Sequence, residues 1–282
     1  PRGLPALPHV KATCSIFHPG SHLYSNGGGG SGAGAGIPES GAKPGISVAE
    51  CRCLQERMAE MVREDVPLHL ADIDHIAGTD VSYLREEGIA VGVALSFSWP
   101  GLTLLEERVC VAAVEFPYVP GLLSFRELPA LLPALRSLAA RPGLVMVDGQ
   151  GVAHPRRFGL ASHLGVTLGL PTLGCAKSRL VGEHAEPGPL RGDWAPLLLG
   201  GRTVGAVLRT RDGVKPLFVS AGHLIDLQSS MAAVLACGRG YRLPEPQRLA
   251  HALTARLKEA YRRGGMAALR EEAERHGGCA GQ

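Results

Sequence analysis

Two acidic residues stand where strands could present them to a metal ion or a phosphate. Asp148 ends an apolar run that begins at Gly143 and opens the segment Asp148-Gly-Gln-Gly-Val-Ala-His-Pro-Arg156. Asp80 lies within a second strand-like run, Ile76 to Tyr83. A carboxylate in a central strand is costly to bury unpaired, so Asp80 lies either at an exposed edge or beside a cation. Two acids on neighbouring strands repel each other unless a metal lies between them. The presence of Asp148 therefore favours the second alternative, in which Asp80 lies beside a bound cation.

A third acid, Glu127, lies in the first helical segment after a series of strands. Taken alone, it would be a solvated helix residue. Together with the other two acids, it would complete an all-oxygen site suited to Mg²⁺ or Mn²⁺. Hard oxygen ligands with open water positions and nearby basic residues suit phosphodiester hydrolysis.

Composition limits the class of protein. The chain has 282 residues, of which 45% are apolar, enough to bury the core of one large domain or two small ones. No apolar run approaches the roughly 18 to 20 residues of a membrane span, and no leader pattern is seen, so we expect a soluble cytoplasmic protein. The 7 cysteines are odd in number and are expected to be reduced thiols.

The net charge of +3 is unevenly distributed. Residues 178–263 contain 13 Lys and Arg against 7 Asp and Glu. This basic stretch could face a polyanion, and a solvated surface would explain it equally well.

Hydrophobic periodicity and turn residues predict the elements that must position the acids. Three consecutive strands with short turns predict an antiparallel meander, at 76–83, 89–97 and 104–114. Further strands are expected at 143–147, 171–175, 203–210 and 216–220. Helices are expected at 48–62 with Ser47 as its cap, 129–138 after a short turn at 122–126, 158–169, 225–236 and 247–262. The order predicts an α/β fold with a mixed central sheet flanked by helices.

The predicted domain organisation has three parts. Residues 1–45 are rich in Gly and Pro, with little apolar periodicity, and predict a disordered extension. Residues 46–263 form the catalytic domain. Residues 264–282 are a C-terminal tail.

Six sequence blocks occur in the same order as in a known protein family. The chain from about residue 46 to 262 resembles endonuclease V, whose domain has the ribonuclease H-like fold. The blocks are Gly78-Thr-Asp-Val-Ser-Tyr83, Pro117-Tyr-Val-Pro-Gly-Leu-Leu-Ser-Phe-Arg-Glu127, Asp148 to Arg156, Gly174-Cys-Ala-Lys-Ser-Arg-Leu180, Ser220-Ala-Gly-His223 and Leu243-Pro-Glu-Pro246.

The resemblance implies roles for individual residues. Metal-binding catalytic acids match Asp80, Glu127 and Asp148, with Mg²⁺ as cofactor and Mn²⁺ able to replace it. A family position near the metal matches His251, and a lysine near the scissile phosphate matches Lys177. The remaining matches are expected at the lesion: the wedge segment Pro117, Tyr118, Val119 and Pro120, then Arg126, Gly149, Gly151 and His154.

By resemblance, the function is recognition of deoxyinosine in DNA and hydrolysis of the second phosphodiester bond on its 3′ side, leaving 3′-hydroxyl and 5′-phosphate ends. Two alternatives stay open: an inosine-specific endoribonuclease, and a domain that binds distorted nucleic acid without cutting it. A monomer is expected, since no heptad pattern or exposed apolar stripe indicates assembly.

Overall fold

The computed structural model describes residues 46–279, and the extension predicted for residues 1–45 lies outside the described residues. The helices are α1 (Val48–Ala59), α2 (Ser124–Arg136), α3 (Leu160–Leu168), α4 (Leu227–Ala236) and α5 (Glu245–Arg275). The strands are β1 (His75–Leu84), β2 (Ile89–Ser98), β3 (Leu104–Ala113), β4 (Leu144–Val147), β5 (Thr172–Ala176), β6 (Trp194–Leu199), β7 (Arg202–Leu208), β8 (Leu217–His223) and β9 (Gly278–Cys279).

All nine strands of this described region form one mixed sheet in the order β6-β7-β8-β5-β4-β1-β2-β3-β9. The predicted meander is present, since β1, β2 and β3 pair antiparallel. The centre of the sheet is parallel, because β4 pairs parallel with both β1 and β5. The predicted fold class, a mixed sheet flanked by helices, is confirmed.

Side-chain alternation along the central strands divides the core into two layers. Ala77 and Val147 face a cluster that includes Leu131 of α2 and Leu164 of α3. Residues of the opposite parity, including Ile76 and Met146, face a cluster formed with α4 and α5. Asp80 and Asp148 have the parity of this second set and therefore lie on the α5 side of the sheet.

Helix α2 differs from the sequence prediction of a turn at 122–126 followed by a helix from Pro129. The structure has one continuous helix, with Pro129 and Pro133 inside it. Each proline lacks the backbone N–H that a helix interior needs, so the local sequence predicts that a helix is unfavourable there. Burial of a whole face of α2, including Leu128 and Leu135, against the sheet compensates.

The edge strand β6 was missed because Pro196 interrupts its pattern. Proline is tolerated there because an edge strand need not donate every ladder hydrogen bond. No helix among residues 46–279 is both long and apolar enough to cross a membrane.

The predicted boundary at residue 263 falls within α5, where Gly264 and Gly265 have non-helical backbone angles. The helix resumes after them and buries Leu269 and Ala273 in the α5 side of the core. The chain then adds β9 to the sheet, parallel to β3.

Candidate active site

Asp80 and Asp148 are brought level by the register of two parallel strands. Thr79 of β1 pairs with Val147 of β4, so the next residue on each strand is an aspartate. The Asp80 side chain is 9% exposed and that of Asp148 is 19% exposed. The sheet thus holds two carboxylates side by side, one of them almost fully removed from water.

Helix α5 supplies the neighbours of Asp80. Thr254 donates a hydrogen bond from Oγ1 to Asp80 Oδ2 at 2.5 Å, and His251 Nδ1 lies 3.2 Å from the same oxygen. The helix can approach this closely because Gly78, two residues before Asp80, has no side chain: a Cβ there would overlap the backbone of Pro246. Burial raises the pKa of Asp80, the Thr254 hydrogen bond opposes that shift, and the charge of Asp148 adds to it.

Lys177 provides the cation beside Asp148. It follows β5, the parallel neighbour of β4, and its Nζ lies 2.5 Å from Asp148 Oδ2. The lysine side chain is 35% exposed, so it is accessible to solvent. A flexible point charge in this position can balance negative charge on a carboxylate or on a phosphoryl oxygen.

Glu127 of α2 is buried, and its carboxylate accepts a hydrogen bond of 3.0 Å from the hydroxyl of Tyr83. Burial raises the pKa of Glu127 to about 8, with the charges of Asp80 and Asp148 adding to the effect. The adjacent Arg126 lies over the Tyr83 ring, 5.0 Å from its centroid, and donates from Nη1 to the Phe116 carbonyl at 2.8 Å.

The group that could share one metal ion is Asp80, Asp148 and His251, whose ligand atoms lie within 4.8 Å of one another. Glu127 was predicted as a ligand and lies outside this group. The donor set nevertheless fits a divalent cation: the Oδ1 atoms of both aspartates take part in none of the contacts with Thr254, His251 and Lys177. Paired carboxylates with free oxygens suit Mg²⁺ or Mn²⁺.

The predicted wedge segment, Pro117 to Pro120, lies in the connection from β3 to α2. Tyr118 at its tip is 71% exposed, whereas Val119 packs against a small core formed by Cys51, Phe116, Leu122 and Phe125. An exposed aromatic on an anchored loop is suited to entering a base stack.

The loop after Asp148 and the wedge loop meet at one backbone carbonyl. The Gly121 oxygen accepts hydrogen bonds from Gln55 Nε2 at 3.1 Å, His154 Nε2 at 3.0 Å and Arg156 Nη2 at 2.8 Å. Arg156 also donates from Nε to Gln55 Oε1 at 2.6 Å. We refer to Gln55, Gly121, His154 and Arg156 as the loop junction.

His154 uses both ring nitrogens within this junction. Its Nδ1 accepts from the Arg156 backbone N–H at 3.2 Å, which leaves the proton on Nε2 for Gly121. Burial lowers the pKa of His154 to about 4, and the charge of Arg156 lowers it further. The structure therefore gives His154 a role in joining loops, while its predicted contact with the lesion stays a prediction.

The two glycines predicted to make room for a base differ in their surroundings. A Cβ on Gly151 would overlap the carbonyl oxygen of Ala221 in β8, so glycine is required there by internal packing. A Cβ on Gly149 would make ordinary contact with Leu160 at 3.4 Å. Whether either glycine also faces a base stays a prediction.

Sequence reasoning missed four residues that support the site: Tyr83, Thr254, Gln55 and Arg156. Arg156 and Tyr83 lay at the ends of recognised blocks, which was a usable signal. Gln55 and Thr254 were unremarkable polar positions on helices.

The sheet order and the aspartate pair on its central parallel strands define this chain as a nuclease of ribonuclease H-like fold. The family model for endonuclease V matches residues 56–252. The chain belongs to the endonuclease V family, and the predicted resemblance is confirmed.

Known relatives match most of the domain. Endonuclease V from Azotobacter vinelandii is 50% identical over 210 residues, which cover 74% of this chain and 93% of the relative. The crystal structure of endonuclease V from Streptomyces avermitilis superposes with a TM-score of 0.73 at 47% identity, covering 76% of this chain and 94% of that one. Endonuclease V from Ciona intestinalis, solved with a 24mer DNA containing an inosine followed by a ribo-adenosine, has a TM-score of 0.66 at 26% identity, covering 75% and 98%.

Proposed function

We propose that the domain is a metal-dependent DNA repair endonuclease that recognises deoxyinosine, the product of adenine deamination, and hydrolyses the second phosphodiester bond on its 3′ side. The products carry 3′-hydroxyl and 5′-phosphate ends. The observation that carries the proposal is the level pair of Asp80 and Asp148, with the Lys177 ammonium 2.5 Å from one of them. Family membership supports endonuclease activity.

We assign the metal to Asp80 and Asp148, with His251 in the same cluster and Glu127 beside it, as the sequence prediction had it. Mg²⁺ is the proposed ion and Mn²⁺ its substitute. When bound, the ion would supply an activated water and neutralise charge on the departing 3′ oxygen. The Thr254 hydrogen bond would favour the ionised form of Asp80 and fix the carboxylate in place.

Lys177 has a separate task in this proposal. Its partly exposed ammonium can move from Asp148 to a phosphoryl oxygen of the substrate, where negative charge grows during hydrolysis. The single salt bridge that holds it is consistent with such an exchange, since Asp148 would find a new cationic partner in the bound metal.

At the lesion, Tyr118 would enter the gap left by the base that turns out of the stack. Its 71% exposure supports this role, because no other side chain need move to free the ring. Arg126 contacts the backbone directly before the wedge segment, at Phe116. Its buried Nε has no hydrogen-bond partner among the described residues. We assign Arg126 to the support of the wedge, through Phe116.

An inosine-directed endoribonuclease is the second candidate. The Ciona intestinalis relative was solved on DNA with a ribo-adenosine after the inosine, which favours testing a 2′-hydroxyl at that nucleotide. Matched DNA and RNA strands, and a DNA strand with one ribonucleotide 3′ to the inosine, would rank the two activities by kcat/KM.

We also propose that the protein acts as a monomer.

The deciding experiment maps the nick on an end-labelled duplex with one inosine, in Mg²⁺, in Mn²⁺ and in EDTA. We expect one cut, at the second bond on the 3′ side, only with metal. Asp80→Asn and Asp148→Asn should abolish it, while Asp72→Asn, an exposed acid outside the site, should not. Cutting by either active-site variant at the wild-type rate would refute the proposal, and tight binding with no cut would favour the non-cleaving alternative.

A further inference from the structure

A second exposed aromatic side chain, Tyr241, lies on the connection between α4 and α5. Its side chain is 53% exposed. The guanidinium of Arg248 lies over one face of the ring, with Cζ 4.5 Å from the centroid. Such cation–π pairs hold an aromatic ring in a fixed orientation and are common on surfaces that bind nucleic acid.

The position of Arg248 is itself fixed. It donates from Nε and Nη2 to the two carboxylate oxygens of Glu245, at 2.7 and 2.6 Å. Bidentate pairing restrains the guanidinium plane, and the plane in turn restrains the ring. The Tyr241 ring is thus preorganised although it is exposed, which lowers the entropy cost of stacking on a ligand.

Two connections link Tyr241 to the catalytic residues. The next residue, Arg242, donates from Nη2 to the backbone carbonyl of Lys177 at 3.0 Å. On α5, Arg248 precedes His251 by three residues, which places both on one face of the helix. Tyr241 is therefore next in sequence to a residue that contacts the Lys177 backbone, and its partner Arg248 shares a helix face with His251.

The charge around the ring matches a nucleic acid. Arg248 covers one face of the ring. The neighbouring Arg242 donates to the backbone carbonyls of Lys177 and of the exposed Lys215, at 3.0 and 2.8 Å. Among these cations, Arg248 is paired with Glu245 and Lys177 with Asp148. An aromatic ring among cations is the combination that binds single strands, by base stacking and phosphate attraction.

The topology gives the direction of the strand. Tyr118 is on the connection into α2, and Tyr241 on the connection into α5, which packs on the opposite face of the sheet. Asp80, within β1, and Asp148, directly after β4, lie on the α5 side of the sheet. If Tyr118 marks the lesion and the cut lies on its 3′ side, a strand that continues past the acids reaches Tyr241.

We propose that Tyr241, held by Arg248, stacks on a base of the cleaved strand on the 3′ side of the scissile bond. The assignment of the 3′ side rests on the proposed function. Tyr241 and Arg248 would thus form a stacking platform. This platform would bind the part of the strand on the 3′ side of the scissile bond, whereas the wedge segment acts at the lesion.

The test compares kcat/KM for nicking inosine strands that have a long 3′ arm with strands that stop just beyond the scissile bond. Tyr241→Leu should lower kcat/KM about tenfold on the long arm, and leave the short-arm value unchanged. Tyr241→Phe should match the wild type, because it keeps the stacking face. Trp194→Leu, a partly exposed aromatic on the edge strand β6, is the matched control and should change neither value.

Three outcomes would overturn the proposal: an unchanged long-arm value for Tyr241→Leu, an equal loss on both arms, or a loss that follows the 5′ arm. Thermal melting of each variant excludes misfolding. Fluorescence anisotropy on an unmodified single strand decides the contact independently of inosine: Tyr241→Leu should bind more weakly there too. A wild type that fails to nick inosine yet shows this difference would remove the proposed function and keep the platform.

Discussion

Thr254 and His251, one turn apart on α5, both contact the same oxygen of Asp80, Oδ2. The other carboxylate oxygen, Oδ1, takes part in neither contact. The helix thereby fixes one side of the carboxylate while the other side is available to a ligand. Supporting groups of this kind commonly determine how well a metal ligand performs.

Thr254→Val should therefore weaken metal use without changing the ligands. The variant keeps the shape of the side chain but leaves buried Asp80 without its short hydrogen bond. We expect the Mg²⁺ concentration for half-maximal nicking to rise by about tenfold or more. Thr254→Ser should restore the wild-type requirement, and an unchanged Mg²⁺ titration for Thr254→Val would show that the hydroxyl has no such role.

Lys177→Met should lower kcat for nicking by about 100-fold, with little change in substrate affinity. The reason is that the ammonium is needed where charge develops, not for ground-state binding. Lys177→Arg should recover part of the rate, since charge is kept but the compact geometry is lost. Single-turnover rates and anisotropy would separate the two effects. A loss confined to affinity would place Lys177 in substrate binding instead.

Glu127→Gln should lower the nicking rate and raise the free energy of unfolding at alkaline pH. Since burial raises the pKa of Glu127 to about 8, the metal-free wild type must ionise a buried carboxyl above that pH, and the variant need not. The folded state retains the proton between pH 4.5 and about 8 while the unfolded chain does not, so wild-type stability declines across this window. We expect the variant to be more stable at pH 9 by on the order of a few kcal/mol, and slower in nicking. Urea unfolding in EDTA gives the first quantity.

Gln55→Leu should loosen the loop junction while leaving the acids in place. The variant fills similar space but removes the donor to Gly121 and the acceptor for Arg156. We expect poorer discrimination between inosine and adenosine duplexes, and a stability loss of about 1 to 3 kcal/mol. Competition between the two duplexes measures the first effect. Retained discrimination in a destabilised variant would confine Gln55 to a structural role.

His163 should make the fold sensitive to acid. It is buried between Phe125 and Phe158, and its Nδ1 lies 3.0 Å from the Ser124 hydroxyl. Burial lowers its pKa from 6.5 to about 4, so the unfolded chain binds the proton first as pH falls. This contribution is complete above pH 6.5 and is lost towards pH 4, amounting to about 3 kcal/mol. His163→Gln should flatten that part of the pH dependence of urea unfolding, whereas an identical slope in both proteins would contradict it.

The elements were predictable from sequence where the signal is local. Alternating apolar residues between tight turns predicted β1, β2 and β3 closely, and Ser47 caps α1 as expected, with Glu50 completing a reciprocal pair. The two aspartates could be recognised because an acid in an apolar run is visible without a partner. Their alignment required the parallel register of β1 and β4, which no local pattern contains.

The supporting residues could not be predicted, because their partners are remote. Thr254 and Asp80 are 174 positions apart, and Gln55 and Gly121 are 66 apart. Polar helix residues such as these are ordinarily solvated, and only the packing of α5 and α1 makes them buried donors. The same cause separates Glu127 from the cluster of Asp80, Asp148 and His251, since its position depends on how α2 crosses the sheet.

The short strand β9 has a consequence for any shortened version of this chain. Residues after Gly265 cover one side of the core and pair Gly278 and Cys279 with Val109 and Cys110 of β3. A chain cut at the helix break would leave β3 as an open edge, next to newly uncovered apolar surface. Open edges invite pairing between molecules. A fragment ending near residue 264 could thus contain every catalytic residue and still be lost to aggregation during purification.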